Sequence, residues 1–280
     1  MTESAGKRLM RRALSAAARR RASCVFVLST GRVGTVTLTH LLNLSPAVDA
    51  EHEPGPQLLE ETRRAYQAHP LPGPEATALM RTFAASRVRP LVRAARGRVY
   101  VESSNRLTFL APQLSAHLPR SRFIHLHRDP ATVVRSGMRR GWYDNHPWDP
   151  YRIQPRPDDP WAGDWERWGA FERCCWFWTA ANQFCLHVVD RLPADRVFAT
   201  GMEALFAADG DGAHRLFAWM HVPPGAPEDI RRVTATRYNA QQGRDFPIWS
   251  EWTREQRAAL ARIAAPVAVR LGYDRYAEPD

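Results

Sequence analysis

Two stretches of the chain hold residues suited to gripping an anion. The first, STGRVGTVTL at positions 29–38, follows the apolar run CVFVL and sets Gly31, Arg32, Val33, Gly34, Thr35 and Val36 at a strand–turn–helix junction. A turn leading into a helix N-terminus offers several backbone N–H groups to an anion, and an arginine beside it adds charge without a metal. The second, HRDPATVVRSG at 127–137, puts Arg128 at a strand end and Ser136 eight residues later on the next helix. A guanidinium and a hydroxyl held there can grip a second phosphate. Each stretch also has a plainer reading. The first can be only a tight turn; in the second, Arg128 can pair with Asp129 at the helix start while Ser136 faces solvent. The loop is not that of a nucleotide kinase, because no lysine follows its last glycine, and Gly31 and Gly34 do not form G-x-G-x-x-G.

The elements that must position these residues follow from hydrophobic pattern. Strands are predicted at 24–28, 47–51, 98–102, 122–127 and 196–199, separated by helical stretches at 35–44, 57–96 (broken by prolines), 107–118 and from Pro130 onward. Such alternation predicts an α/β fold, three layers with a central parallel sheet between helices. Residues 143–163, rich in Pro, Trp, Asp and Tyr, show no period and read as a binding loop or a mobile surface loop. A long helix is predicted over 164–192, with apolar positions 165, 168, 171, 175 and 178 on one face and Asn182 on the same stripe. The domain is expected to span 23–276, with a basic tail before it and a short one, 277–280, after it.

Composition narrows the classes. With 280 residues, 44% hydrophobic and ten tryptophans, the chain is globular. No apolar run approaches the roughly 20 residues of a membrane helix. The formal net charge is +10, and residues 1–22 hold seven basic residues against Glu3 alone. That segment is read as a solvated basic tail, or alternatively as a weak contact with an anionic membrane surface or polyanion. Lys7 is the only lysine, so an anion site must be built from guanidinium and backbone N–H groups. Cys24, Cys174, Cys175 and Cys185 show neither metal nor disulfide spacing, which suits reduced thiols in a cytoplasmic protein. His125 and His127 share a strand face without an evident third ligand, so packing or loop contacts are expected, and no metal.

Taken together, the two anion stretches resemble the sulfotransferases that use 3′-phosphoadenosine 5′-phosphosulfate (PAPS). The loop of that family, [K/R]-S-G-T-T-x-L, binds the 5′-phosphosulfate and is similar to RVGTVTL, residues 32–38. Its 3′-phosphate motif, an arginine at a strand end and a serine eight residues on, matches Arg128 and Ser136. The segment VYVESSNRLTFL, the Trp-rich helix with Asn182 and the closing RLGY extend the resemblance over about residues 23–273. It implies PAPS as co-substrate, a P-loop-like phosphosulfate loop and no metal requirement. By position in the family pattern it also implies that Asn239 and Arg244 close over the 3′-phosphate. Three departures stand out: Val33 and Val36 replace a Ser and a Thr, leaving backbone N–H, Arg32 and Thr35 for the anion, and Ser103 replaces a lysine, with Arg106 the residue that can compensate.

Sulfuryl transfer to a hydroxyl also needs a base. The turn EHEP after the second strand offers Glu51, His52 and Glu53. Glycan-type members of the family carry a catalytic glutamate in a similar turn, which makes Glu53 first choice, His52 second and Glu102, at the end of the third strand, a reserve. The expected acceptor is a carbohydrate or small molecule. Other classes stay open on sequence: a basic nucleic-acid-binding protein, disfavoured because no such module is recognisable, and a P-loop phosphotransferase, disfavoured by the missing GK[ST].

Overall fold

The computed structural model describes residues 16–236, 238 and 244–277. Its centre is a five-stranded, wholly parallel sheet in the order β2-β3-β1-β4-β5. The strands are β1 (Ser23–Leu28), β2 (Val48–His52), β3 (Val99–Ser103), β4 (Arg122–His127) and β5 (Val197–Gly201). β1, β3 and β4 are buried along almost their whole length, as expected of strands covered on both faces. Register brings the strand ends level: His52 pairs with Ser103, and Leu28 with His125.

Helices cover both faces, giving the three-layer α/β/α architecture. A short helix α1 (Ala16–Arg21) lies within the stretch read as a basic tail, and Ala22 just after it is fully buried. Next come α2 (Thr35–Leu42), α3 (Leu59–Gln67), α4 (Gly73–Ser86), α5 (Val88–Ala95), α6 (Ala111–His117) and α7 (Pro130–Arg139). The series closes with α8 (Ala170–Val189), α9 (Met202–Leu205), α10 (Asp211–Met220), α11 (Pro227–Ala235) and α12 (Arg254–Arg270). α2 packs on β2 and β3, α5 on β1 and β3, and α8 on β4 and α12.

The long Trp-rich helix starts six residues later than its periodicity predicts. Gly169, in an extended conformation, is the N-cap of α8, and Trp165 sits in a short 3-10 turn before it. Trp165 packs edge-on against Trp176 at 5.1 Å, and Trp161 lies 5.5 Å from Trp168. The aromatic pattern was therefore that of a cluster wrapped onto the helix and not of a continuous helix face. Asn182 does lie inside α8, where its amide donates to the Trp178 carbonyl at 2.9 Å and its oxygen accepts from His125 Nε2 at 3.1 Å.

The segment 143–163 is held by side-chain caps. Asp149 accepts from the backbone N–H of Tyr143 at 3.0 Å and of His146 at 2.8 Å, and from Arg152 Nε at 2.8 Å. Arg152 and Ile153 within it, and Trp142 just before it, are buried. Trp148 and Tyr151 stay on its surface, 38% and 40% exposed.

Candidate active site

In this strand order the chain leaves β1 toward β2 and β3, and leaves β4 toward the opposite edge. The crevice between the carboxyl ends of β1 and β4 is thus a switch point, where open α/β sheets take ligands. Both anion stretches end there. After β1 the backbone turns through three left-handed residues, Gly31 (φ 75°), Arg32 (62°) and Gly34 (81°). Gly34 is the N-cap of α2, and a Cβ on it would stand 2.7 Å from the Phe206 ring. Positive φ and that ring together require glycine. The loop is tied down from below. Ser29 N–H donates to Thr108 Oγ1, and Thr108 returns its hydroxyl proton to the Ser29 carbonyl, both at 3.0 Å. Ser103 donates to the Thr35 carbonyl at 3.2 Å. In place of a lysine, Ser103 therefore anchors the first turn of α2.

The two stretches meet directly. Arg32 Nε donates to Ser136 Oγ at 2.9 Å, and Arg128 Nη1 donates to the Arg32 carbonyl at 3.0 Å. The Arg128 carbonyl in turn accepts from the Trp178 indole at 2.9 Å, so Arg128 is held at both ends. Asp129 caps α7, accepting from Thr132 N–H at 3.0 Å, and takes Arg275 at 2.6 Å as its ion-pair partner. The helix then presents Thr132, Arg135, Ser136 and Arg139 along one face of a cleft of about 630 Å³. Arg32, Gly34, Thr35 and Val36 line the same cleft, together with Arg128, Met202, Glu203, Phe206 and Tyr238.

The electrostatics of the cleft are those of a cation cluster. Burial pulls the Arg32 guanidinium down to about 10, repulsion from Arg140 and Arg128 adds to the fall, and Glu53 opposes it. An anion placed against Arg32 relieves that repulsion.

Other residues named from the sequence are distributed as follows. The Val33 side chain is fully buried in the core, so toward the cleft it offers only backbone. Asn239 lies outside the described residues. Arg244 is exposed, pairs with Asp144 and exchanges contacts with Arg139: its N–H donates to the Arg139 carbonyl at 3.1 Å. Glu53 adopts a left-handed φ of 43°, and its N–H donates to the Ser103 carbonyl at 3.2 Å. The same carbonyl is 2.9 Å from His52 Nδ1. A carbonyl only accepts, so His52 donates from Nδ1, and in the neutral ring that tautomer leaves the lone pair on Nε2.

Glu102 is not placed for a reaction. It is 1% exposed and forms a bidentate ion pair with Arg87, both contacts at 2.8 Å, while Tyr100 Oη donates to it at 2.7 Å. With its lone pairs engaged by a buried guanidinium and a phenol, Glu102 is a structural acceptor. Arg87 goes further and donates to the carbonyls of Pro54 at 3.0 Å, Gly55 at 3.1 Å and Pro56 at 3.1 Å. One buried side chain thus ties β3 to the turn that carries His52 and Glu53. Burial pulls the Arg87 pKa down, but the hydrogen bonds and charge of Glu102 outweigh it and the net shift is upward.

His125 and His127 are packing residues. Burial holds His125 at about 4, opposed by its bond to Asn182, and holds His127 at about 3, with His125 adding to the fall. His127 Nδ1 lies 2.8 Å from Tyr273 Oη. Among the described residues, no group of three His, Cys, Asp or Glu side chains is arranged to hold a metal ion, and no helix is long and apolar enough to cross a membrane. All four cysteines are buried and free.

Sequence reasoning missed Arg135, Arg139 and Phe206. Arg135 follows Thr132, and Arg139 follows Ser136, by three residues, so both were findable by helical spacing. Phe206 carries no signal, because only the fold brings it to Gly34.

Comparisons agree with this architecture. The sulfotransferase family profile matches residues 24–223. No curated protein sequence matches. Among solved structures the chain is similar to the sulfotransferase domain from the curacin biosynthetic pathway, with a TM-score of 0.50, 15% identity, and 80% of this chain and 81% of that one covered. It is also similar to the sulfotransferase domain of the Synechococcus PCC 7002 olefin synthase (TM-score 0.49, 16% identity, 78% and 79% covered). A third is the sulfotransferase from Alicyclobacillus acidocaldarius (0.48, 16%, 88% and 93%). At these identities the curacin domain speaks to the fold, and the family rests on the profile. That profile runs unbroken through β1, the Arg32 loop and the Arg128–Ser136 helix, the parts that build the cleft, and the chain belongs to the sulfotransferase family.

Proposed function

We propose that the chain moves a sulfuryl group from PAPS to a hydroxyl of a carbohydrate or small-molecule acceptor. The observation that carries the reading is the direct link between the two anion stretches, Arg32 to Ser136 and Arg128 to the Arg32 carbonyl. One cleft then serves a ligand with two anionic ends. The donor set fits such a ligand: arginines and hydroxyls line it, its central guanidinium is depressed by its neighbours, and its volume of about 630 Å³ suits a nucleotide.

In this reading Arg128, Ser136 and Arg135 hold the 3′-phosphate, while Arg32, Thr35 and the N–H groups of the 31–36 loop hold the 5′-phosphosulfate. Phe206 and Met202 give the apolar wall for the base. Bound PAPS supplies an activated sulfuryl group whose leaving oxygen stays on the nucleotide. Arg32 and the α2 N-terminus stand where negative charge grows on that oxygen, and such preset dipoles act without reorganisation. Glu53, beside Arg32, takes the acceptor proton. His52 is the second reading for this step, favoured by its tautomer, which leaves Nε2 basic. Arg87 fixes the turn that carries both. We place the reaction in the cytoplasm, consistent with four reduced thiols.

The test is transfer from PAPS to a panel of hydroxyl compounds, read as a mass gain of one sulfuryl group, with adenosine 5′-phosphosulfate run in parallel. Transfer should be strongly preferred from PAPS. Equal transfer from both donors contradicts a 3′-phosphate site, and transfer from neither contradicts the reading as a whole.

A further inference from the structure

Gly31 opens the anion loop in a left-handed conformation, and one side chain from another part of the fold closes on it. A Cβ on Gly31 would stand 3.1 Å from Asn105 Nδ2, 3.3 Å from its Cγ and 3.7 Å from its Cβ. The Asn105 amide therefore lies against the bare backbone of the loop, where a side chain at position 31 would go. Asn105 is half-buried and opens the 3-10 helix Asn105–Leu110 that follows β3. An asparagine at a helix start commonly serves to cap it. Here that task falls to Ser104, whose hydroxyl accepts from Arg106 N–H at 3.3 Å. Among the described residues, nothing hydrogen-bonds to the Asn105 amide.

The strand order gives this position its meaning. β3 lies between β2, which leads into the turn of Glu53, and β1, which leads into the anion loop. Ser103 at its end already holds both neighbours. Its carbonyl accepts from Glu53 N–H at 3.2 Å, and its hydroxyl donates to the Thr35 carbonyl at 3.2 Å. Two residues on, Asn105 leaves from the strand that separates the proposed base from the donor loop. Arg106 does not share the position, because its guanidinium stacks over the Trp148 ring at 4.7 Å.

We infer that Asn105 is a catalytic residue whose Nδ2–H donates to an oxygen of the sulfuryl group held at the 31–36 loop. The assignment rests on the PAPS-dependent reading. In the transfer, the bond from sulfur to the 5′-phosphate oxygen breaks and leaves its electron pair on that oxygen. The acceptor hydroxyl oxygen forms the new bond to sulfur, and its proton passes to Glu53. A neutral amide on the base side of the loop holds the sulfuryl oxygens in line without competing with Arg32 for the leaving oxygen. Glycine at 31 is what lets the amide come so close.

The experiment titrates the full chain by calorimetry, without acceptor, with PAPS and with 3′,5′-adenosine bisphosphate, which lacks the sulfuryl group. Wild type, Asn105→Ala and Asn105→Leu are compared. Leucine keeps much of the shape of asparagine but donates nothing, so it separates the hydrogen bond from packing. The bisphosphate should bind all of them alike, which also reports that each variant is folded. PAPS should bind both variants about ten- to a hundredfold more weakly than the wild type, the worth of one hydrogen bond to a charged group. Asn105→Leu decides should Asn105→Ala fold poorly. Wild-type affinity for PAPS in the variants overturns the inference, and so does an equal loss for both nucleotides, the mark of a merely structural asparagine. If the wild type binds neither nucleotide, the donor reading falls and this assignment falls with it.

Discussion

Arg87→Met is the most informative single change to the scaffold. Arg87 is 2% exposed and gives two hydrogen bonds to Glu102 and one each to the carbonyls of Pro54, Gly55 and Pro56. Methionine fills similar volume but leaves Glu102, itself 1% exposed, as a buried carboxylate without its counter-ion. Removing one partner of a buried pair costs about 3–5 kcal/mol, mostly the uncompensated charge. For a chain of this size that corresponds to a fall of roughly 6–20 °C in Tm. The double variant Arg87→Met, Glu102→Gln should recover a good part of the loss, since the amide is neutral and still accepts from Tyr100. The recovery is read from urea unfolding midpoints of the four members of a double-mutant cycle. A catalytic signature should accompany it: the turn at 53–56 loses three anchors, so kcat should fall while affinity for 3′,5′-adenosine bisphosphate holds. If Arg87→Met costs under about 1 kcal/mol, as an exposed pair would, or if the double variant is no better than the single one, the pair is not the clamp described here.

Three further outcomes follow from the site and the core. Glu53→Gln should lower kcat by about 10²–10⁴ with donor affinity little changed, and His52→Asn should be mild; the reverse pattern in steady-state kinetics transfers the proton to histidine. Turnover should survive EDTA, because arginines and amide dipoles stand where a metal would neutralise charge; activity lost to chelation and restored by Mg²⁺ argues for phosphoryl transfer instead. Stability should fall with acid above the carboxylate range: His125 at about 4 and His127 at about 3 refuse protons that the unfolded chain accepts below about 6.5. The folded pKa values lie below the unfolded one, so stability is full above about 6.5 and declines as pH drops, by about 2 kcal/mol per histidine between pH 7 and 5; urea midpoints that do not move over that range contradict it.

Much of the fold could be read in advance because parallel strands buried on both faces leave continuous apolar runs. CVFVL and RFIHLH are of this kind, and their ends fell within a residue of those predicted. The cleft was legible for a related reason: loop, strand end and helical serine are short-range patterns, and the switch-point topology brings them together. The long helix was misjudged because the spacing of Trp165 and Trp168 matches a helix while Gly169 lets the chain turn before it. The fate of Glu102 was illegible. Its partner Arg87 is fifteen residues away across a helix, and nothing local marks it among so many arginines as the buried one. Val33 shows the limit of motif reading: it occupies a motif position, yet its side chain belongs to the core.

The central claim is that Arg32, Arg128 and Ser136 form one site for a nucleotide with phosphates at both 3′ and 5′. Calorimetric titration of the wild type with 3′,5′-adenosine bisphosphate and with AMP, repeated on Arg128→Ala, tests it directly. The bisphosphate should bind far more tightly than AMP, and Arg128→Ala should cost it about 1.5–3 kcal/mol, roughly ten- to a hundredfold in Kd, with AMP little affected. Equal affinity for the two nucleotides, or an Arg128→Ala variant that binds the bisphosphate as the wild type does, would contradict it.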